Sequence, residues 1–488
     1  MGGVIASQAQ ARTAAAALLP ASRWLVLIDR LGHGLLERDV AVRLALLAAL
    51  AGEHVLLIGP PGTAKSALAR RLHGAFADAP YFERLLTRFS TPEELFGPLS
   101  LKALEEDRYE RLTAGFLPSA GIAFLDEVFK ANSAILNALL TLLNEREFDN
   151  GTQRLRTPLV AVVAASNEVP QDEGLQAFHD RFLVRLPVVP VGDASFGVLL
   201  NLPAAGADIG PAATDRITAE ERDALAGRAV QVSLGDDFVQ ACTDLRRSLA
   251  GQGRPMSDRR WRQFVGLART AAASEGRAAL DALDLWLAPY VAAQKPEDAP
   301  SLAAWFVDHV LAAPPKAAPW LDRAVEAFER QLGIEQSAPT EDGDDTAGKL
   351  ALARAIGLGQ TSDGQAQPGA QRIVSSRLEA RLQRRYGALH VQARVSQVDE
   401  VLADVEAALQ GTRLQRQALA AQLAGRVWMP PSLTTTWLGR FDDATGLLVQ
   451  LADRLKAARE GFAALPRDEE NLLGSTPSLV PVAEAGDD

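Results

Sequence analysis

The apolar run His54 to Ile58 (HVLLI) passes directly into Gly59-Pro60-Pro61-Gly62-Thr63-Ala64-Lys65-Ser66, and from there into the helix-like stretch ALARRLHGAF. A glycine-bearing loop between a strand and a helix turns successive backbone N–H groups toward one point. The helix dipole adds positive potential there, so the site suits a polyphosphate. In that arrangement Lys65 meets the β- and γ-phosphates of a nucleotide and the Ser66 hydroxyl ligates Mg2+. The strict spacing of such loops has glycine where this chain has Ala64. Alanine keeps the N–H, and its cost depends on whether φ at that position is positive.

Further on, the apolar run Ile122 to Leu125 ends in Asp126-Glu127. Ligands of parallel sheets gather at the carboxyl ends of strands, where Asp126 orients the Mg2+ that bridges the phosphates and Glu127 polarises a water for in-line attack. A third run, Leu159 to Ala164, leads to Asn167, whose amide can bond both the γ-phosphate and the attacking water. Arg181 and Arg185, in the segment DRFLVR, carry guanidinium groups suited to developing phosphoryl charge. Each either pairs locally or acts on the nucleotide of a neighbouring subunit. The segment Ser257-Asp258-Arg259-Arg260-Trp261 opens a helix with an N-cap candidate, from which Arg259 is expected to reach the phosphates from a second domain, the alternative being a surface arginine.

The three apolar runs are continuous rather than alternating, as central strands covered on both faces are, and helical periodicity lies between them. The spacing predicts an α/β nucleotide-binding core with a parallel sheet over residues 1–195 and an α-helical lid over 196–298, joined through a Pro- and Gly-rich linker at Leu186 to Pro211. Beyond it, apolar residues recur at alternating steps of four and three in three seams: Leu321 to Leu332, Val391 to Leu409 and Leu448 to Leu465. Such seams predict a C-terminal helical bundle assembled from residues 299–334 and 373–466. A polar insertion at 335–372 separates them and an acidic tail follows at 467–488.

Composition narrows the function classes. The 488 residues are 48% hydrophobic and 23% charged, with a net charge of −11, which argues against a protein that coats nucleic acid or an anionic membrane. The only cysteine, Cys242, cannot form an intrachain disulfide, and the six histidines show no metal-ligand spacing. The acidic run Glu341-Asp342-Gly343-Asp344-Asp345 lacks the offsets of a calcium loop and is read as a solvated loop. Six arginines (372, 377, 381, 384, 385, 394) are read as a solvated helix face, with docking of an acidic partner as the alternative. No apolar stretch has transmembrane length and the N-terminal run is too short for a secretory core, so a cytoplasmic protein is expected.

Taken in order, GPPGTAKS, FLDE, ASNEVP, DRFLVR and SDRRW resemble the MoxR branch of the AAA+ ATPases, most closely its RavA subfamily, over residues 20–290. The resemblance implies that alanine at position 64 is usual in the branch. It places Arg88 to Pro98 in an insertion of the ATPase core and Phe148 to Thr152 in a β-hairpin before the sensor strand, both protruding from one face of a ring. A homo-oligomeric, hexameric ring is implied, with a von Willebrand factor A domain partner and a chaperone-like role in maturing protein complexes. The seams match the discontinuous triple-helical domain of RavA proteins, but residues 335–372 show no alternating strands. The subfamily's β-rich domain, and with it lysine decarboxylase binding, is therefore not carried over. Two competing expectations are a nucleotide-gated scaffold, in which assembly rather than turnover matters, and a nucleic-acid motor, which the acidic balance disfavours.

Overall fold

The computed structural model describes residues 20–170, 173–202, 215–314, 319–338, 384–468 and 476–480. The acidic run at 341–345, most of the polar insertion and Arg372, Arg377 and Arg381 lie outside them, as does most of the expected tail. The chain forms two compact units, one comprising Met1–Ala312 with Leu423–Thr434, the other Ala313–Gln422 with Thr435–Asp488.

The first unit begins with helices α1 (Ala21–Gly32) and α2 (Asp39–Leu50), then β1 (Val55–Ile58), α3 (Lys65–Gly74) and β2 (Tyr81–Leu85). The short helices α4 (Pro92–Phe96) and α5 (Leu101–Glu105) precede β3 (Ile122–Asp126) and α6 (Ser133–Glu145). The hairpin β4 (Glu147–Asn150) and β5 (Gln153–Arg156) leads to β6 (Ala161–Ser166), α7 (Glu173–His179), β7 (Val184–Pro187) and α8 (Asp193–Leu200). The five parallel strands run in the order β2-β3-β6-β1-β7, so the three apolar runs form the centre of the sheet. All residues of β1 and β6 are buried, which is why neither alternates. Helix α2 reads DVAVRLALLAAL, apolar on every side, and is buried from Ala41 to Leu50. His54 links sheet to helix: its Nδ1 accepts from Val162 N at 3.0 Å and its Nε2 donates to Leu143 O at 3.1 Å. Burial holds its pKa well below the usual imidazole value, as a neutral, doubly bonded ring requires.

The expected linker from Leu186 instead contains the end of β7 and all of α8. Neither has a strong pattern: VRLP ends in proline, and α8 buries none of its residues. The lid follows, with α9 (Ala219–Ala229), β8 (Ser233–Leu234), α10 (Asp236–Gly251), α11 (Asp258–Ser274), β9 (Ala279–Leu280), α12 (Ala288–Val291) and α13 (Ala299–His309). A capping box between Thr218 and Glu221 fixes the start of α9, and the Ser257 hydroxyl caps α11 by accepting from Arg260 N. Residues 299–309, expected in the bundle, belong to this first unit. So does the segment Leu423–Thr434, where Trp428 is fully buried, donates from Nε1 to Ser274 Oγ at 2.7 Å and lies 5.8 Å from Trp24, ring centre to ring centre.

Helices α14 (Pro319–Ser337), α15 (Ala388–Leu423) and α16 (Pro431–Ala463) supply the second unit. Residues of all three seams, among them Val325, Phe328, Val398, Val405, Leu455 and Phe462, meet in one core. Arg394 is buried here and bonds Glu335 at 2.9 Å, so it does not belong to a solvated arginine face. No helix among the described residues is long and apolar enough to cross a membrane.

Candidate functional site

The loop Gly59 to Ala64 leaves the carboxyl end of β1 and enters α3. Its shape depends on two left-handed residues, Gly62 at φ +79° and Ala64 at φ +66°, ψ +24°. For an L residue that conformation costs ~1–2 kcal/mol, so Ala64 holds the loop under strain that glycine would relieve. Gly59 is needed for a different reason: a Cβ there would fall 2.0 Å from Val188 O. No side chain caps α3, which leaves its first-turn N–H groups directed into the loop's concavity, the geometry that binds phosphate. Thr63 Oγ1 donates to Pro60 O at 2.9 Å and braces the turn.

Lys65 is buried, and its Nζ donates to Gly59 O at 2.7 Å and Pro60 O at 2.8 Å. Burial lowers its pKa, while the negative charges of Asp126 and Glu127 oppose that shift, so the ammonium and the two acids share one electrostatic neighbourhood. Asp126 ends β3 and its Oδ1 accepts from Glu127 N at 3.0 Å. Glu127 is a second strained residue, at φ +51°, ψ +43°. Its carboxylate is claimed on both sides: Asn167 Nδ2 donates to Oε1, and Lys130 Nζ lies 3.3 Å from Oε2. A cavity of about 780 Å3 opens at the carboxyl ends of β1, β6 and β7, lined by Gly59, Asn167, Val169, Pro187, Val189 and Lys295, and is of a size that admits a nucleotide. The donor set fits a magnesium triphosphate: main-chain N–H groups and an ammonium for the phosphates, a hydroxyl on Ser66 and a carboxylate on Asp126 for the cation.

Arg38 and Lys130 carry no motif and were not singled out in the sequence. The buried Arg38 guanidinium donates to Thr63 O at 3.3 Å, Val189 O at 2.5 Å and Glu37 O at 3.1 Å, tying the phosphate loop to the exit of β7. Nothing in the local sequence marks Arg38, because two of the three carbonyls that it collects, those of Thr63 and Val189, are distant along the chain.

The arginines separate. Arg185 points inward from β7, is 6% exposed and donates to Ala293 O at 3.0 Å and His179 O at 3.2 Å, so it is not available to a neighbouring subunit and the expectation of a transacting role is corrected. Arg181 is half-buried, and its Nε has no partner. Arg259 does not reach the phosphate loop of its own chain. Its Nη2 donates to Asn144 Oδ1 at 3.0 Å, near the end of α6, and Gln263 of the same helix α11 bonds Glu53, which precedes β1. That is the amino edge of the sheet, the length of β1, about 10–13 Å, away from the loop. The structure thus gathers Gly59 to Ser66, Asp126, Glu127 and Asn167, and leaves Arg185 and Arg259 out.

Residues 23–226 match a family model described as the MoxR domain of MoxR-vWA-beta-propeller ternary systems, and residues 237–306 match an AAA lid domain. Two uncharacterized proteins of Methanocaldococcus jannaschii are similar. One is 39% identical over 274 residues, 55% of this chain and 71% of its own length; the other is 41% identical over 258 residues, 53% and 66% respectively. Protein MoxR of Paracoccus denitrificans is 30% identical over 154 residues, 30% of this chain and 44% of its own. This chain spans less than two thirds of the length of the latter two relatives.

Proposed function

This chain belongs to the MoxR family of AAA+ ATPases, and from that premise we propose that it hydrolyses ATP with Mg2+ and couples turnover to remodelling of a partner carrying a von Willebrand factor A domain. The observation that carries the reading is the convergence of the phosphate loop, Lys65 and the Glu127–Asn167 pair at the carboxyl ends of β1, β3 and β6. Main-chain N–H groups at the start of α3 and the Lys65 ammonium bind the phosphates, and Ser66 with Asp126 would hold the cation. Mg2+, when bound, offsets charge on the β- and γ-phosphates. Glu127 then takes a proton from the attacking water on a lone pair that Asn167 and Lys130 leave open, and the Asn167 amide orients the nucleophile.

Arg181 is the guanidinium left for a neighbour's nucleotide, which requires a head-to-tail ring. The partner class is inferred from the described context of the family model, which favours that partner over the decarboxylase of the RavA subfamily. The surface suited to such a partner is the insertion at Arg88 to Pro98 with the segment around α5 that follows it, where Phe89, Leu101 and Tyr109 are exposed. It is bolted to the β4–β5 hairpin: Asn150 Oδ1 accepts from Arg111 N at 2.7 Å, and Phe96 stacks on Phe148 at 5.3 Å.

Steady-state ATP hydrolysis with and without Mg2+, run beside Glu127→Gln, tests the reading. Magnesium-dependent turnover abolished by the substitution, with ATP binding retained, is expected. A Glu127→Gln protein that hydrolyses normally would refute the assignment, and one that stops hydrolysing yet keeps full partner activity would favour a nucleotide-gated scaffold.

A further inference from the structure

Away from the phosphate loop, between β7 and the start of α11, lies a polar cavity of about 130 Å3 whose walls include His179, Asp180, Arg185, Ser257 and Arg260. It has room for one tetrahedral oxyanion and is too small for a nucleotide. Two guanidinium groups face it, Arg185 at 6% exposure and Arg260 at 4%. Asp180 is the carboxylate that answers both, 3.8 Å from Arg185 Nη2 and 3.4 Å from Arg260 Nη1, and its side chain is 37% exposed. The terminal nitrogens are held by main-chain carbonyls: Arg185 by those of Ala293 and His179, Arg260 by those of Asp180, Phe182, Leu183 and Val291.

Two buried nitrogens on this wall have no partner, Arg185 Nε and His179 Nε2. Burial, then the nearby Arg260 charge, brings the Arg185 pKa down to about 9, and burial brings that of His179 down to about 3. At neutral pH the Arg185 guanidinium is therefore charged and the imidazole is neutral, while Asp180, the carboxylate that it shares with Arg260, lies 3.8 Å away and is partly exposed, so the Arg185 charge is incompletely balanced. A buried charge without a counter-charge is costly, and water in the cavity would solvate that excess without neutralising it.

We propose that this cavity binds one small oxyanion of the phosphate and sulfate class. It accepts from Arg185 Nε–H and from His179 Nε2–H in the tautomer that carries the proton there, and the Ser257 hydroxyl lies on the same wall. Because β7 belongs to the sheet and α11 to the lid, the anion ties lid to core. The assignment is independent of whether the chain hydrolyses ATP.

The test is calorimetric titration of inorganic phosphate into the full chain carrying Lys65→Ala, which weakens phosphate binding at the loop, with sulfate as competitor. One phosphate per chain is expected. Arg185→Met should weaken binding ~10-fold or more, as loss of a charge-assisted hydrogen bond does. Asp180→Asn, at a partly exposed side chain, removes the competing carboxylate and should tighten binding severalfold, which keeps the test decisive if the Arg185 variant does not fold. No phosphate uptake, or uptake that Asp180→Asn leaves unchanged or weakens, would overturn the proposal.

Discussion

Ala64→Gly measures the strain stored in the phosphate loop. Alanine at φ +66°, ψ +24° carries a native-state penalty of ~1–2 kcal/mol that glycine does not. Glycine in turn frees the unfolded chain, at a cost of ~0.5–1 kcal/mol relative to alanine. The net gain alone is thus small, about 0.5 kcal/mol. A paired control removes the unfolded-state contribution: Ala67→Gly lies three residues on, inside α3, where φ is ordinary and the substitution costs about 1 kcal/mol. The two variants share the same change in unfolded-chain freedom, so their difference in stability, ~1–2 kcal/mol, reports the strain at position 64. For a unit of this size that separates the midpoints by roughly 1.5–3 °C. Thermal unfolding without nucleotide, followed by tryptophan fluorescence, reads it, since Trp24 and Trp428 are buried in the first unit. Equal destabilisation by both substitutions would show that position 64 is unstrained and that the loop owes its shape to other residues.

Asn167→Ala removes the amide bonded to Glu127 Oε1 and should lower kcat ~10–100-fold with KM changed less than about twofold, since the amide acts on the nucleophile; an unchanged kcat in steady-state assays refutes that role. Burial, opposed by the Arg146 charge and by a bond from Gln263, raises the Glu53 carboxyl from 4.5 to about 7. The folded state therefore holds a proton that the unfolded chain releases near 4.5, so this contribution is fully present below that pH and is lost as the pH rises through 7. Glu53→Gln should flatten the decline and leave the variant more stable than the parent at pH 8, by ~1–3 kcal/mol; equal pH profiles in denaturant titrations would count against the burial argument. Gly151→Ala puts a Cβ 1.9 Å from Tyr109 O at a residue with φ +65°, and should free the insertion from the hairpin. Limited proteolysis between residues 97 and 112 should quicken while ATP turnover persists, and an unaltered cleavage pattern would mean that the contact yields without cost.

What was legible in the sequence is what depends on neighbours along the chain. The phosphate loop and the acids ending β3 are contiguous stretches, and β1, β3 and β6 announce themselves because strands covered on both faces need unbroken apolar runs. Edge strands do not: β2 reads YFERL and β7 reads VRLP, and both escape a search for such runs. The misplaced arginines follow from the same limit. Arg185 looks like a free guanidinium beside a motif, yet its position in β7 aims it at carbonyls of His179 and of Ala293 in the lid. Arg259 and Arg260 are adjacent in sequence, but the helix turns one toward Asn144 and buries the other among main-chain oxygens. Three seams of 3.5-residue period could be read separately, whereas the assignment of Leu423–Thr434 to the first unit rests on Trp428 and Ser274, which only the folded chain brings together.

In the proposed reading the left-handed backbones of Ala64 and Glu127 stand at the two ends of the same reaction, the phosphate grip and the water. Strain of this kind persists only where the surroundings over-determine it, and here they do: α2 is buried on every side beneath the sheet, His54 locks β6 to α6, and Arg38 pins Thr63 from behind. Asn167 and Lys130 each hold one oxygen of the Glu127 carboxylate, which fixes its orientation and leaves a second lone pair on each oxygen for a water. In the proposed reading a γ-phosphate would compete for the Asn167 amide, leaving Lys130 as the contact on the carboxylate. In that reading the same ligand that fills the loop would loosen one of the two contacts on the base.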